Sequence, residues 1–215
     1  MNDEHENIKN TTDSLETLDL EESFGTGETS EGLSYEDNPT LGEGDKVIYN
    51  GHVTLIQRPY LGKDYDIVVS KNAVAIMYID LEDNVYFCKQ FRPPVGKEIL
   101  ELPAETIDKP NLSSLEHIVE GLEEECGVRI KPEQAQYLMT VGSSEGHDTE
   151  LVDLFYASGP CEITGQRLGE DERIEVVKIK FDDAYKMIGT KITGSKSIIL
   201  LQNEYLRRLG KYEAN

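Results

Sequence analysis

The sequence predicts an α+β fold, with mixed strands and helices lying outside the sheet. Three observations predict it. Short apolar runs such as Ala73–Ile79 alternate with polar turns, the mark of strands in a mixed sheet. A carboxylate-rich helical pattern over 113–126 interrupts them. An amphipathic helical pattern over 195–209 closes the chain, with Ile198, Leu201, Tyr205 and Leu209 on one face. We divide the 215 residues into an acidic tail over 1–45, a strand-rich extension over 46–70 and a main domain over 71–210.

Structure begins near Lys46. Strands over 47–49 and 52–57 flank Asn50-Gly51, a two-residue hairpin signal, and 66–70 is a third short strand. The runs 73–79 and 85–91 flank the polar turn 80–84, forming a second hairpin apolar enough to be buried on both faces. Residues 92–96 are a loop and 98–102 a short strand. The helix over 113–126 has Ser113 or Ser114 to cap it and Gly127 to stop it. Strands follow over 137–141, 150–156 and 174–181. Asp182 is expected to cap a short helix to Ile188.

The formal net charge is -21. Residues 1–45 hold fourteen Asp or Glu against one Lys, so -13 of it lies there. That stretch carries few large apolar side chains and is expected to be disordered, because it buries too little surface to offset its ordering entropy. Its charge repels a phosphate backbone, which excludes nucleic acid and leaves a solubilising role or a basic protein partner. No stretch has the apolar length of a membrane span, and no signal-peptide core opens the chain. Cys88, Cys126 and Cys161 lack metal-ligand spacing and read as reduced, packed thiols of a cytoplasmic protein.

On the helix, Glu116, Glu120 and Glu124 form one row, and His117, Gly121 and Glu125 the next. Carboxylates sharing a face repel, and a hard cation such as Mg²⁺ or Mn²⁺ relieves the repulsion. The plain alternative is a solvated acidic face.

The surroundings resemble the Nudix hydrolases. Their signature runs from a glycine through a glutamate to Arg-Glu-x-x-Glu-Glu-x-Gly and an apolar residue. Leu122, Glu124, Glu125, Gly127 and Val128 match its end. Gln90-Phe91-Arg92, Val95-Gly96-Lys97-Glu98 and Leu100-Glu101-Leu102-Pro103-Ala104 are similar to the branch that cleaves ADP-ribose and nucleotide sugars. The longer spacing over 107–112 is similar to its UDP-sugar pyrophosphatases. The resemblance spans residues 47–209 and implies a Nudix fold and a homodimer built on the 46–70 extension.

The same resemblance implies a metal site of Glu124, Glu125 and the Ala104 carbonyl, loaded with Mg²⁺ or Mn²⁺. The family's third helix glutamate falls on Gly121, its arginine on Glu120 and its first glycine on Glu105. Glu120 is a candidate substitute ligand; Glu105 and His117 are weaker ones. Glu170, Asp171 and Glu172 lie where close relatives keep the general base, so Glu172 and Glu170 join Glu124 as catalytic candidates. Arg92, Gln90 and Glu98 are candidate contacts to substrate, the guanidinium suiting a phosphate. The implied reaction is hydrolysis of the pyrophosphate bond of a nucleoside diphosphate sugar such as ADP-ribose or a UDP-sugar. The rival reading is a catalytically silent Nudix fold, docked to a larger assembly through its acidic tail. On sequence alone, Gly121→Glu is the sharper probe of the altered positions: a large gain in rate would show that the site is otherwise assembled.

Overall fold

The computed structural model describes residues 41–51 and 53–211. The disorder expected for the acidic tail falls mostly on residues outside these. Asp45, placed in that tail, belongs to the folded part: its carboxylate accepts from Arg58 Nε and Nη2 at 2.9 and 2.7 Å and from the Gly42 N–H at 2.7 Å.

The first strand signals form one antiparallel sheet of β1 (Lys46–Asn50), β2 (Thr54–Tyr60) and β3 (Lys63–Val69). β2 turns into β3 through Leu61 and Gly62, both at positive φ (49° and 75°). A leucine at positive φ carries no turn signature, so this second hairpin was not legible. Ile56 is buried, whereas Val47, Ile48, Tyr49, Tyr60, Leu61 and Tyr65 are exposed.

The main sheet is mixed. Its order is β12 (Ile174–Lys180), β5 (Asn84–Arg92), β4 (Ala73–Ile79), β10 (Leu151–Ser158) and β9 (Ala135–Gly142). β6 (Lys97–Glu101) pairs with β5, and β7 (Ala104–Thr106) with β4. Every residue of β4 is buried, as its unbroken apolar run requires. The expected β4–β5 hairpin is only a beginning: the two strands pair at Ile79 and Val85 and then diverge. β6 and β7 enter the opening, so the chain from 97 to 106 is held between the two central strands. β8 (Val128–Arg129) and β11 (Glu162–Ile163) form a separate ribbon.

Two cores sit on opposite faces of the sheet. Val74, Ile76, Tyr78, Cys88 and Phe155 meet Ile118, Leu122 and Cys126 of α1 (Ser114–Cys126) on one face. Met77, Phe87, Leu154 and Phe181 meet Leu200 and Leu201 of α3 (Ser195–Arg208) on the other. α1 starts as expected: the Ser113 side chain accepts from the Glu116 N–H, and Glu116 reaches back to the Ser113 N–H. It ends at Gly127, φ 64°, where a Cβ would lie 2.7–2.9 Å from the Gly165 backbone. Only glycine satisfies both demands there.

Two helix expectations are corrected. α2 (Phe181–Lys186) is capped at Lys180 without a side-chain bond, so Asp182 lies in its first turn. α3 buries Ser197, Leu200, Leu201, Asn203 and Glu204, while Leu209 is half exposed. Arg207 and Arg208 both bind the Glu204 carboxylate, at 2.6 and 2.7 Å, which makes a buried charge tolerable on that face. Ser197 Oγ accepts from the Leu102 N–H at 3.0 Å and ties α3 to the segment after β6. Among the described residues no helix is long and apolar enough to cross a membrane.

Candidate functional site

Gly121 of α1 and Glu105 of β7, the two positions singled out in the sequence, lie against each other. Gly121 is buried on α1, and a Cβ built there would stand 2.1 Å from Glu105 Cγ, 3.0 Å from Cδ and 3.1 Å from Oε1. The Glu105 side chain therefore occupies the volume a side chain at 121 would need. It arrives from β7, which pairs with β4 through Val74 and Ala104's neighbour Glu105 itself. A carboxylate from the adjacent strand thus lies over the face of α1 that Gly121 leaves open.

A second exchange accompanies the first. Glu120 replaces the family arginine, and Lys109 Nζ reaches its Oε2 at 2.8 Å. The same ammonium acts on Glu105 and Glu124 as well, so Lys109 offsets part of the negative charge gathered there. The loop that brings Lys109 is pinned by His117, whose Nε2 accepts from the Lys109 N–H at 3.1 Å, while Nδ1 lies 3.0 Å from the Ser113 carbonyl. Nε2 is thus an acceptor, and Nδ1–H donates. With both nitrogens engaged His117 holds structure, and neither nitrogen is left to ligate.

Glu125 is buried, and its Oε2 accepts from the Ala104 N–H at 3.2 Å and from the Cys88 thiol at 3.5 Å. Burial, then the charge of Glu105, pushes its carboxyl up to about 8. Burial, then the charges of Glu124 and Glu172, pushes Glu105 up to about 7. Glu105, on β7, is thus the point on which the charges of α1 and of the loop before β12 bear, and it bears in turn on Glu125.

That loop is clamped to the end of α1. Gln166 Nε2 donates to the carbonyls of Glu125 and Ile174 at 2.7 and 3.0 Å, and the Arg167 N–H donates to the Glu124 carbonyl at 2.9 Å. Glu172 accepts from the Gly169 N–H at 2.8 Å and stays exposed. Glu170 takes part through its carbonyl, which accepts from Arg173 at 2.8 Å.

Strand register sorts the remaining candidates. Residues 88, 90 and 92 of β5 share the α1 face, and 89 and 91 the other. Gln90 and Arg92 are therefore on the carboxylate side, where Arg92 Nε donates to Glu101 Oε1 at 2.7 Å. Glu98 is paired with Phe91 and lies on the opposite face, 3.3 Å from Lys89 Nζ. The structure does not bring Glu98 to the carboxylates. It lines instead a cavity of about 540 Å³ with Lys89, Lys97, Leu100, Val177 and Lys191. Glu101 and Lys109 were missed, because only the splaying of β4 from β5 brings their segment under α1.

Among the described residues no three His, Cys, Asp or Glu side chains are gathered as a ready-made metal cluster. The donors are of the type a hard divalent cation takes: carboxylate oxygens, two of them on groups whose proton affinity is raised by burial and by neighbouring charge. Proton and cation compete for these oxygens. Both carboxyls take a proton more readily folded than unfolded, so their contribution to stability is full below about pH 4.5 and is lost as pH rises through about 7 and 8. The metal-free melting temperature is expected to fall from pH 5.5 to 8.5, and Glu125→Gln to flatten that fall. Thermal scans in chelator measure both; an unchanged slope in the variant would refute the assignment.

A mixed sheet with a carboxylate-bearing helix on one face defines a class of domain, and comparison with known proteins names it. No family model matches the chain. The chain is 31% identical over 153 residues to methanol dehydrogenase activator of Bacillus methanolicus, a match covering 69% of this chain and 80% of that protein. It is 31% identical over 130 residues to ADP-ribose pyrophosphatase of Bacillus subtilis (strain 168), covering 59% and 67%. Identity is again 31%, over 111 residues, with the uridine diphosphate glucose pyrophosphatase NUDT14 of Mus musculus, covering 48% of each. A crystal structure described as that of an ADP compounds hydrolase superposes with a TM-score of 0.63 at 14% identity, covering 82% of this chain and 98% of that one. The chain belongs to the Nudix superfamily, in its ADP-ribose and UDP-sugar pyrophosphatase branch.

Proposed function

We propose that this protein hydrolyses the pyrophosphate bond of a nucleoside diphosphate sugar, of the ADP-ribose or UDP-sugar type, with Mg²⁺ or Mn²⁺. The observation that carries the reading is Glu105 standing in the volume vacated at Gly121. A fold merely losing its activity has no reason to return a carboxylate to that point. Two relatives bear pyrophosphatase names, which supports the same reaction class.

Glu105, Glu124 and Glu125, with the Ala104 carbonyl, would hold the metal. When bound it neutralises charge on the pyrophosphate and lowers the pKa of water. Arg92, on the same face as the carboxylates, takes a phosphate oxygen when it exchanges Glu101 for substrate. Glu172, exposed on the clamped loop, accepts the proton of the attacking water. Water adds to phosphorus, the P–O–P bond breaks, and a nucleoside monophosphate leaves with a sugar phosphate. Glu120 and Glu98 drop out of the assignment: Glu120 is held by Lys109, and Glu98 lies with Lys89 on the opposite face of the sheet. Glu170 supports the loop through its carbonyl.

We further propose a homodimer through the β1–β3 sheet. Val47, Ile48, Tyr49, Tyr60 and Tyr65 are exposed on it, and such contacts use exposed apolar side chains.

The test is incubation with ADP-ribose or UDP-glucose and either metal, following phosphate-ester products. Turnover that depends on the metal is expected. No turnover with either substrate, together with no metal-induced rise in melting temperature, would refute the enzyme. It would favour the second reading, a regulatory module, for which the name of the methanol dehydrogenase activator speaks.

A further inference from the structure

The inner side of Glu125 is held by sulfur. Cys88, in the middle of β5 and without solvent exposure, donates its thiol proton to Glu125 Oε2 at 3.5 Å. Cys126 follows Glu125 in sequence, and its Sγ lies 3.6 Å from that of Cys88. A thiol has one proton to donate. Cys88 commits its proton to Glu125, so the donor in the sulfur–sulfur contact is Cys126. The result is a directed chain from Cys126 through Cys88 to the carboxylate, set in the apolar cluster beneath α1. The Ala104 N–H ends on the same oxygen at 3.2 Å. Among the described residues, no hydrogen bond reaches Oε1.

We propose that Cys88 is a positioning residue for Glu125, fixing Oε2 so that Oε1 is presented to the metal. The proposal rests on the reading of Glu125 as a metal ligand. Two donors on one oxygen, in surroundings of low dielectric, hold the carboxylate in a single orientation. A thiol suits this place because it is a weak donor. It orients the charged oxygen while withdrawing less of its basicity than a hydroxyl or ammonium would. A thiol that merely filled volume would be replaceable by any small apolar side chain.

That contrast sets the experiment. Mn²⁺ alone is titrated into the full chain, under reducing conditions, with free ion read by electron paramagnetic resonance. The wild type, Cys88→Val and Cys88→Ser are compared, and each metal-free melting temperature is recorded. Cys88→Val keeps the bulk and loses the donor, and is expected to weaken Mn²⁺ binding about tenfold. Cys88→Ser restores a donor and is expected to stay within about threefold of wild type. Equal affinity in wild type and Cys88→Val would overturn the proposal, as would a loss in Cys88→Ser as large as in Cys88→Val. If Cys88→Val does not fold, Cys88→Ala takes its place with the same expectations. A wild type that binds no Mn²⁺ would overturn the metal reading of Glu125 and this proposal together.

Discussion

Glu105→Gln is expected to lower hydrolysis about 100-fold, and to abolish most of the stabilisation that Mg²⁺ or Mn²⁺ confers. Glutamine keeps the size of the side chain over Gly121 but loses the charge, so the change reports on the carboxylate alone. The reciprocal exchange is the sharper form of the same prediction. Gly121→Glu alone is not expected to raise the rate, because its Cβ would fall 2.1 Å from Glu105 Cγ. Glu105→Gly alone is expected to lose activity. The two together return the carboxylate to the helix and are expected to recover it, a coupling that independent sites do not show. The double variant also replaces a mid-helix glycine, worth roughly 0.5–1 kcal/mol in helix stability. Steady-state rates and melting temperatures of the four proteins complete this cycle; additive losses in the double variant would refute the exchange.

Glu125→Gln is expected to reduce the rate about 1,000-fold, the larger effect of the two. Glu125 is buried, with Oε2 already bound by Ala104 and Cys88, so no neighbouring carboxylate has room to take its place. The amide is also expected to raise the metal-free melting temperature at pH 8, since it removes a buried charge. A rate loss together with a gain in stability separates a functional carboxylate from a structural one. Unchanged activity in Glu125→Gln, read by the same product assay, would remove Glu125 from the site.

Local features were legible in the sequence because their causes are local. Ser113 caps α1 and Gly127 ends it through bonds within one turn. The buried strand β4 announces itself by seven apolar residues in succession. The relation of Glu105 to Gly121 was not legible, because it joins a strand to a helix. Read singly, the two residues are departures from a signature; side by side, one fills the space the other leaves. The same holds for Glu120 and Lys109, whose ion pair joins the helix to the loop before it. His117 looked available as a ligand until its loop contacts engaged both nitrogens. Glu98 followed a motif that matched in sequence, yet strand alternation turned it toward Lys89 on the far face. The buried face of α3 was misjudged because Glu204, a charged residue, is drawn inward by two arginines.

Whether Glu105 supplies the carboxylate Gly121 lacks is decided by anomalous diffraction from crystals of the full chain soaked in Mn²⁺. An ion bound by Glu105 and Glu125 is expected, with carboxylate oxygens about 2.1 Å away. An ion that Glu105 does not touch, or no ion at that point at saturating Mn²⁺, would contradict it.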